Sequence, residues 1–102
     1  MLDHCVKLCF PFTDGDLKRV HDLEDALTEA IDAANAGEFD GNDVGEGECI
    51  LYAYGPDADA LFAAIQPVVA AHRELLSGGY AVLRYGPPED GMREVQVPVT
   101  AA

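Results

Sequence analysis

Residues 38–49 read EFDGNDVGEGEC, and within DGNDVGEGE four acids and three glycines fall in nine residues. Carboxylates set among glycines are the material of a calcium loop, which needs oxygen ligands at positions 1, 3 and 5, glycine at 6 and a bidentate glutamate at 12. Counted from Asp40, the stretch supplies Asp40, Asn42 and Gly45, but Val44 stands at position 5 and Leu51 at position 12. Two required ligands are missing, and the residues that follow read as a strand, so a hairpin accounts for the stretch better. Two turns compete for it. Asp40-Gly41 is the stronger two-residue signal, yet its first arm would take in the end of the preceding helix. A turn at Gly45-Glu46 leaves residues 38–44 free to pair with residues 47–53. In that register Phe39 lies opposite Tyr52, Gly41 opposite Ile50, and Asp43 opposite Glu48. The two opposed carboxylates cost little when solvated, and a cation or a partner's Lys or Arg would neutralise them. With their neighbours they define a candidate acidic patch of Asp40, Asp43, Glu46 and Glu48.

No other stretch offers a stronger site. His4, Cys5 and Cys9 suggest a metal centre, but Cys5 and Cys9 are four residues apart on one strand, about 13 Å, too far to share an ion or a disulfide. Buried, reduced thiols are the simpler account of the three cysteines, an odd number placed in apolar segments. His21 and His72 lie on helices with no nucleophile motif beside them. GPPEDG lacks the Lys-Ser or Lys-Thr of a phosphate loop. No catalytic residue, metal or cofactor is expected.

The elements that position these residues follow from periodicity. Residues 3–10 alternate and are β-prone, and Pro11 ends the strand. Leu17, Val20, Leu23, Leu27, Ile31 and Ala34 recur at helical spacing after the cap candidates of Thr13-Asp14-Gly15-Asp16, and the helix stops near Gly37. Residues 49–54, CILYAY, are apolar on both faces and read as an interior strand. Gly55-Pro56 break it, and Asp57 caps a second helix whose stripe is Leu61, Phe62, Ile65, Val68 and Val69. Pro67 within that stripe predicts a kink or an early end. Residues 80–85 form a fourth strand, and Val95, Val97 and Val99 alternate in a short edge strand. This order predicts an α+β, ferredoxin-like βαββαβ sandwich: an antiparallel sheet with two helices on one face and an extra C-terminal edge strand, all in one domain over residues 1–102.

The chain carries 19 acids against 6 Lys and Arg, a net charge of −13, with no basic block. Such a field repels phosphate backbones and anionic lipid, so neither nucleic acid nor membrane is an expected partner. Solubility alone would also account for the charge. The start of the chain lacks a basic, apolar leader, and no apolar run approaches the roughly 20 residues of a membrane helix, which points to the cytoplasm.

The face of the sheet away from the helices is the most informative surface. If Cys49, Leu51 and Ala53 pack under the helices, then Ile50, Tyr52 and Tyr54 point to the open face. Phe39 joins them through the pairing above, with Tyr80, Val82 and Arg84 from the fourth strand. Such a face is too apolar to stay fully wet. A one-residue slip would instead make the tyrosines core. Single-stranded RNA binding on this fold uses aromatics at the spacing of Tyr52 and Tyr54, but ECILYAYG lacks the basic start of that motif and the charge forbids it.

LEDALTEAI, GEFDG, YGPDADALF and GGYAVLRYGPP resemble segments of small acidic bacterial proteins with this same order of elements. The resemblance covers most of residues 20–88 and implies the fold, with no activity or site residues attached to it. The expected function is therefore a non-enzymatic cytoplasmic interaction module that forms a homodimer or binds a protein through its open face, with Phe39, Tyr52 and Tyr54 as anchors beside Ile50, and Arg84 as a polar contact. The alternatives are an acidic regulator that presents its patch to a basic partner, and a small metal-dependent hydrolase.

Overall fold

A computed structural model describes residues 3–99. The ends of the 1–102 span expected to form one domain lie outside the described residues. The chain runs β1 (His4–Pro11), a 3-10 turn (Asp14–Asp16), α1 (Leu17–Ala34), β2 (Glu38–Gly45), β3 (Glu48–Gly55), α2 (Ala58–Ala71), α3 (Arg73–Leu76), β4 (Tyr80–Arg84) and β5 (Glu94–Pro98). All pairings are antiparallel, in the order β2-β3-β1-β4-β5. The first four strands have the ferredoxin-like arrangement and β5 extends it beside β4.

Each helix boundary has a local cause. Asp16 accepts hydrogen bonds from the Thr13 backbone N–H at 3.2 Å and the Thr13 hydroxyl at 3.1 Å, which fixes the entry to α1. Asn35 ends α1 in the left-handed region (φ 51°), and the Ala36 N–H reaches back to the Ile31 carbonyl at 3.1 Å. Asp57 Oδ1 accepts from the N–H groups of Asp59 and Ala60, at 2.9 and 3.3 Å. His4 Nδ1 accepts from the Ala58 N–H at 3.0 Å, so the start of α2 is capped from β1 as well as from its own sequence. Pro67 does not end α2, which runs four residues further to Ala71.

One apolar core lies between the helices and the sheet. Val6, Leu8 and Phe10 of β1, Cys49, Leu51 and Ala53 of β3, and Ala81 and Leu83 of β4 meet Leu23, Leu27, Ile31, Leu61 and Ile65 of the helices. Burial of a Leu or Ile stabilises the fold by about 1.5–3 kcal/mol, and this layer is what commits the alternating strands to one orientation. Gly37 and Gly55 close one end: a Cβ on Gly37 would strike the Tyr54 carbonyl oxygen, and one on Gly55 the Ala36 carbonyl oxygen. The exit of α1 therefore lies directly on the end of β3.

The β2–β3 hairpin departs from the expected register in two places. The turn is Glu46-Gly47, with φ 53° and 78°, one residue later than Gly45-Glu46. Positive φ at both central residues is the turn that matches strand twist in a two-residue hairpin, and Gly47 makes it accessible. The second departure is a register shift between Phe39 and Gly41, with Asp40 as the extra residue. Phe39 lies opposite Ala53, Gly41 opposite Tyr52, Asp43 opposite Ile50 and Gly45 opposite Glu48. The expected Phe39–Tyr52, Gly41–Ile50 and Asp43–Glu48 pairs do not form. Phe39 turns to the helix side, where it packs against the core.

Candidate functional site

The pairing registers place the open-face residues in three cross-strand rows. The first runs Glu38, Tyr54, Cys5, Arg84, Glu94 across the five strands. The second runs Gly41, Tyr52, Lys7, Val82, Gln96, and the third Asp43, Ile50, Cys9, Tyr80, Pro98. Ile50, Tyr52 and Tyr54 thus stand where the alternation of β3 predicts, with Tyr80, Val82 and Arg84 two strands away. All six are partly exposed. Phe39 is not among them.

Sequence reasoning missed the middle strand. The alternation of residues 3–10 puts Cys5 and Cys9 on one strand face but does not say which; in the structure His4, Val6, Leu8 and Phe10 face the helices. Cys5 and Cys9 lie on the open side and are still 0% and 5% exposed, because they sit between larger side chains on β3 and β4. Burial pushes both thiols up from their ordinary range. On the opposite face burial raises Cys49 to about 11. All three are free and, at neutral pH, protonated and unreactive. Tyr52 and Tyr54 are also raised, first by desolvation, whereas Tyr80 is raised first by Cys9 beside it.

Lys7 occupies the centre of this face, between Tyr52 and Val82. The only ion pairs among the described residues are Lys18–Asp22 and Arg19–Asp16, so neither Lys7 nor Arg84 has a carboxylate partner. Arg84 Nε donates to the Gly86 carbonyl at 2.7 Å, which holds its guanidinium against the sheet. Lys7 and Arg84 share a shallow concavity of about 390 Å³ whose border includes Glu89, Asp90, Met92 and Glu94. Two cations and three carboxylates thus border the same concavity, so it carries no net positive charge.

The acidic patch lies along the β2–β3 hairpin at one edge of this face, without being one cluster. Asp40, Asp43, Glu46 and Glu48 are all exposed. By register Asp43 and Glu48 share the open face, Asp40 occupies the bulge and Glu46 the turn. Asn42, the third residue of the calcium-like stretch, faces the other way and donates to Glu24 Oε2 of α1 at 3.0 Å. Among the described residues no group of three or more His, Cys, Asp or Glu is placed to hold a metal ion. His4 spends its Nδ1 on the cap of α2 and packs edge-on against Tyr85, ring centroids 5.9 Å apart. His72 lies where α2 meets α3, with Nδ1 2.9 Å from the Val68 carbonyl oxygen, and His21 is exposed on α1. No helix among the described residues is long and apolar enough to cross a membrane. No family model, curated protein or solved structure matches the chain.

Proposed function

We propose that the chain is a non-enzymatic, cytoplasmic interaction module that self-associates through the open face of its sheet. The observation that carries this reading is the composition of that face: one side of the sheet is covered by helices, and the other exposes Ile50, Tyr52, Tyr54, Tyr80 and Val82 around Lys7. Tyrosines give large contact area at small conformational cost and keep a polar end, which suits a surface wet in the monomer and dry in the dimer. Three protonated thiols agree with a reducing compartment.

A second reading is favoured by the exposed Asp40, Asp43, Glu46 and Glu48, none of which is in an ion pair. In it the hairpin presents negative charge to a basic protein. Salt separates the two. Screening relieves repulsion between two copies of charge −13 and strengthens self-association, whereas a complex held by opposite charge dissolves.

Light scattering over a dilution series from high micromolar to nanomolar tests the proposal. The mass is expected to fall from near twice 10.9 kDa toward 10.9 kDa on dilution, and Tyr52→Glu to stay at the lower value throughout. A wild-type chain that is monomeric at every concentration and salt overturns it.

A further inference from the structure

We infer that His4 is a proton-operated latch on the start of α2: the neutral ring holds the Ala58 N–H, and the protonated ring must release it. It does so in a single chain, whether or not copies associate.

The bond runs from the Ala58 backbone N–H to His4 Nδ1 at 3.0 Å. A backbone amide can only donate, so Nδ1 is the acceptor and the proton of neutral His4 sits on Nε2. The imidazolium carries a hydrogen on both nitrogens and accepts at neither. Turning the ring over does not help, because either nitrogen then meets Ala58 with a hydrogen of its own. His72 is the contrast: its Nδ1 stands 2.9 Å from the Val68 carbonyl oxygen, an acceptor, so a second proton leaves that bond intact. His21 is exposed on α1. Among the described residues, His4 is therefore the one histidine that gives up a hydrogen bond of the fold when it is protonated.

The charges around the ring decide how a proton is accommodated. Asp57 and Asp59 flank Ala58 at the start of α2, Asp3 precedes His4, and β3 places the uncharged Gly55 opposite it. His4 also packs edge-on against Tyr85. The Tyr85 hydroxyl donates to Asp59 Oδ1 at 2.6 Å, and the Arg93 guanidinium lies over the Tyr85 ring, 4.7 Å from its centroid. The positive helix start and Arg93 oppose a cation at this place, whereas the three carboxylates attract one. Attraction to a carboxylate survives a rotation of the ring and the bond to Ala58 does not, so the imidazolium turns toward Asp57 or Asp59 and leaves Ala58. Ala58 is fully buried, and Asp57 Oδ1 is already taken by the N–H groups of Asp59 and Ala60. The freed N–H finds water only when the first turn of α2 lifts from β1. Proton uptake and opening of this turn are thus one event.

Nuclear magnetic resonance of the nitrogen-15-labelled chain reads the latch directly. At pH 7.5 a coupling across the hydrogen bond is expected between the Ala58 amide nitrogen and His4 Nδ1, with the ring proton on Nε2. At about pH 5 an ordinary histidine is charged while ordinary carboxylates stay ionised. There the coupling is expected to vanish, and protection of the Ala58 amide from hydrogen exchange, taken relative to an unstructured chain at the same pH, to fall by about tenfold or more. His4→Asn offers an amide oxygen near the place of Nδ1 and takes up no proton, so its Ala58 protection should change by less than about twofold over the same interval. A coupling absent at pH 7.5 overturns the latch. So does Ala58 protection that persists at pH 5, whether the ring is charged or still neutral. Loss of protection in His4→Asn to the same extent as in wild type also overturns it, by assigning the acid response to another group. If His4→Asn does not fold, the coupling and the protection in wild type decide alone.

Discussion

Glu46 holds a positive φ of 53° at the first central position of the β2–β3 turn, where Asn, Asp or Gly is favoured. Glu46→Asn is therefore expected to stabilise the chain by about 0.5–1 kcal/mol, because Asn meets the left-handed region with less strain. Urea unfolding should show a higher midpoint with an unchanged slope; a lower midpoint contradicts the turn assignment. Cys49 makes a second residue-scale prediction. Its thiol ionises near 9 when unfolded and is raised to about 11 by burial in the fold. The native state thus keeps a proton that the unfolded state releases. The stability this contributes is fully present below pH 9 and is lost as the pH rises through about 11, on the order of 2–3 kcal/mol. Cys5 and Cys9 act in the same direction. Unfolding curves at pH 8 and pH 10.5 should differ less in Cys49→Ala than in wild type, and equal differences would show that Cys49 is not desolvated.

At the scale of elements, the bulge at Asp40 decides which face Phe39 serves. Phe39→Ala is expected to cost about 2 kcal/mol or more through lost packing on the core, and to leave the dissociation constant of the folded dimer unchanged. Loss of the dimer at full folding would return Phe39 to the open face. The start of α2 yields a similar prediction. His4→Ala removes the acceptor for the Ala58 N–H and should cost about 1 kcal/mol, measurable by thermal or urea unfolding. These two cases show where the sequence was readable and where it was not. The spacing of Val20, Leu23, Leu27 and Ile31 marks α1 because a helix face must repeat, whereas β3 is apolar on both faces and only the compactness of Cys49, Leu51 and Ala53 favours the orientation that puts Ile50, Tyr52 and Tyr54 on the open side. A bulge leaves no such mark, since one extra residue in a glycine-rich strand keeps every neighbour plausible. Nor does β1 announce that Cys5, Lys7 and Cys9 share the outer face, because cysteine suits both surfaces. The cap from His4 joins residues 54 positions apart and has no local signature.

For the whole molecule, a charge of −13 and an uncovered tyrosine face act against each other. In the proposed dimer, long-range repulsion would oppose association and burial of the face would favour it, so screening and concentration are expected to promote it. The face spans five strands and three rows, roughly 24 Å by 20 Å, a footprint of about 500 Å² that lies below the roughly 800 Å² per partner of a standard interface. A weak, salt-promoted dimer is therefore expected, with dissociation in the micromolar range or above. The groove between α2 and β5, lined by Phe62, Val69, Val97 and Val99, is the other apolar surface against which to judge the account. The most direct measurement follows backbone amide chemical shifts on dilution, at moderate salt. Concentration-dependent shifts are expected only on the open face, around Lys7, Ile50, Tyr52, Tyr80 and Val82, with α1 and α2 unmoved. Shifts centred on Phe62 and Val97, or none over the whole range, would contradict the open-face dimer.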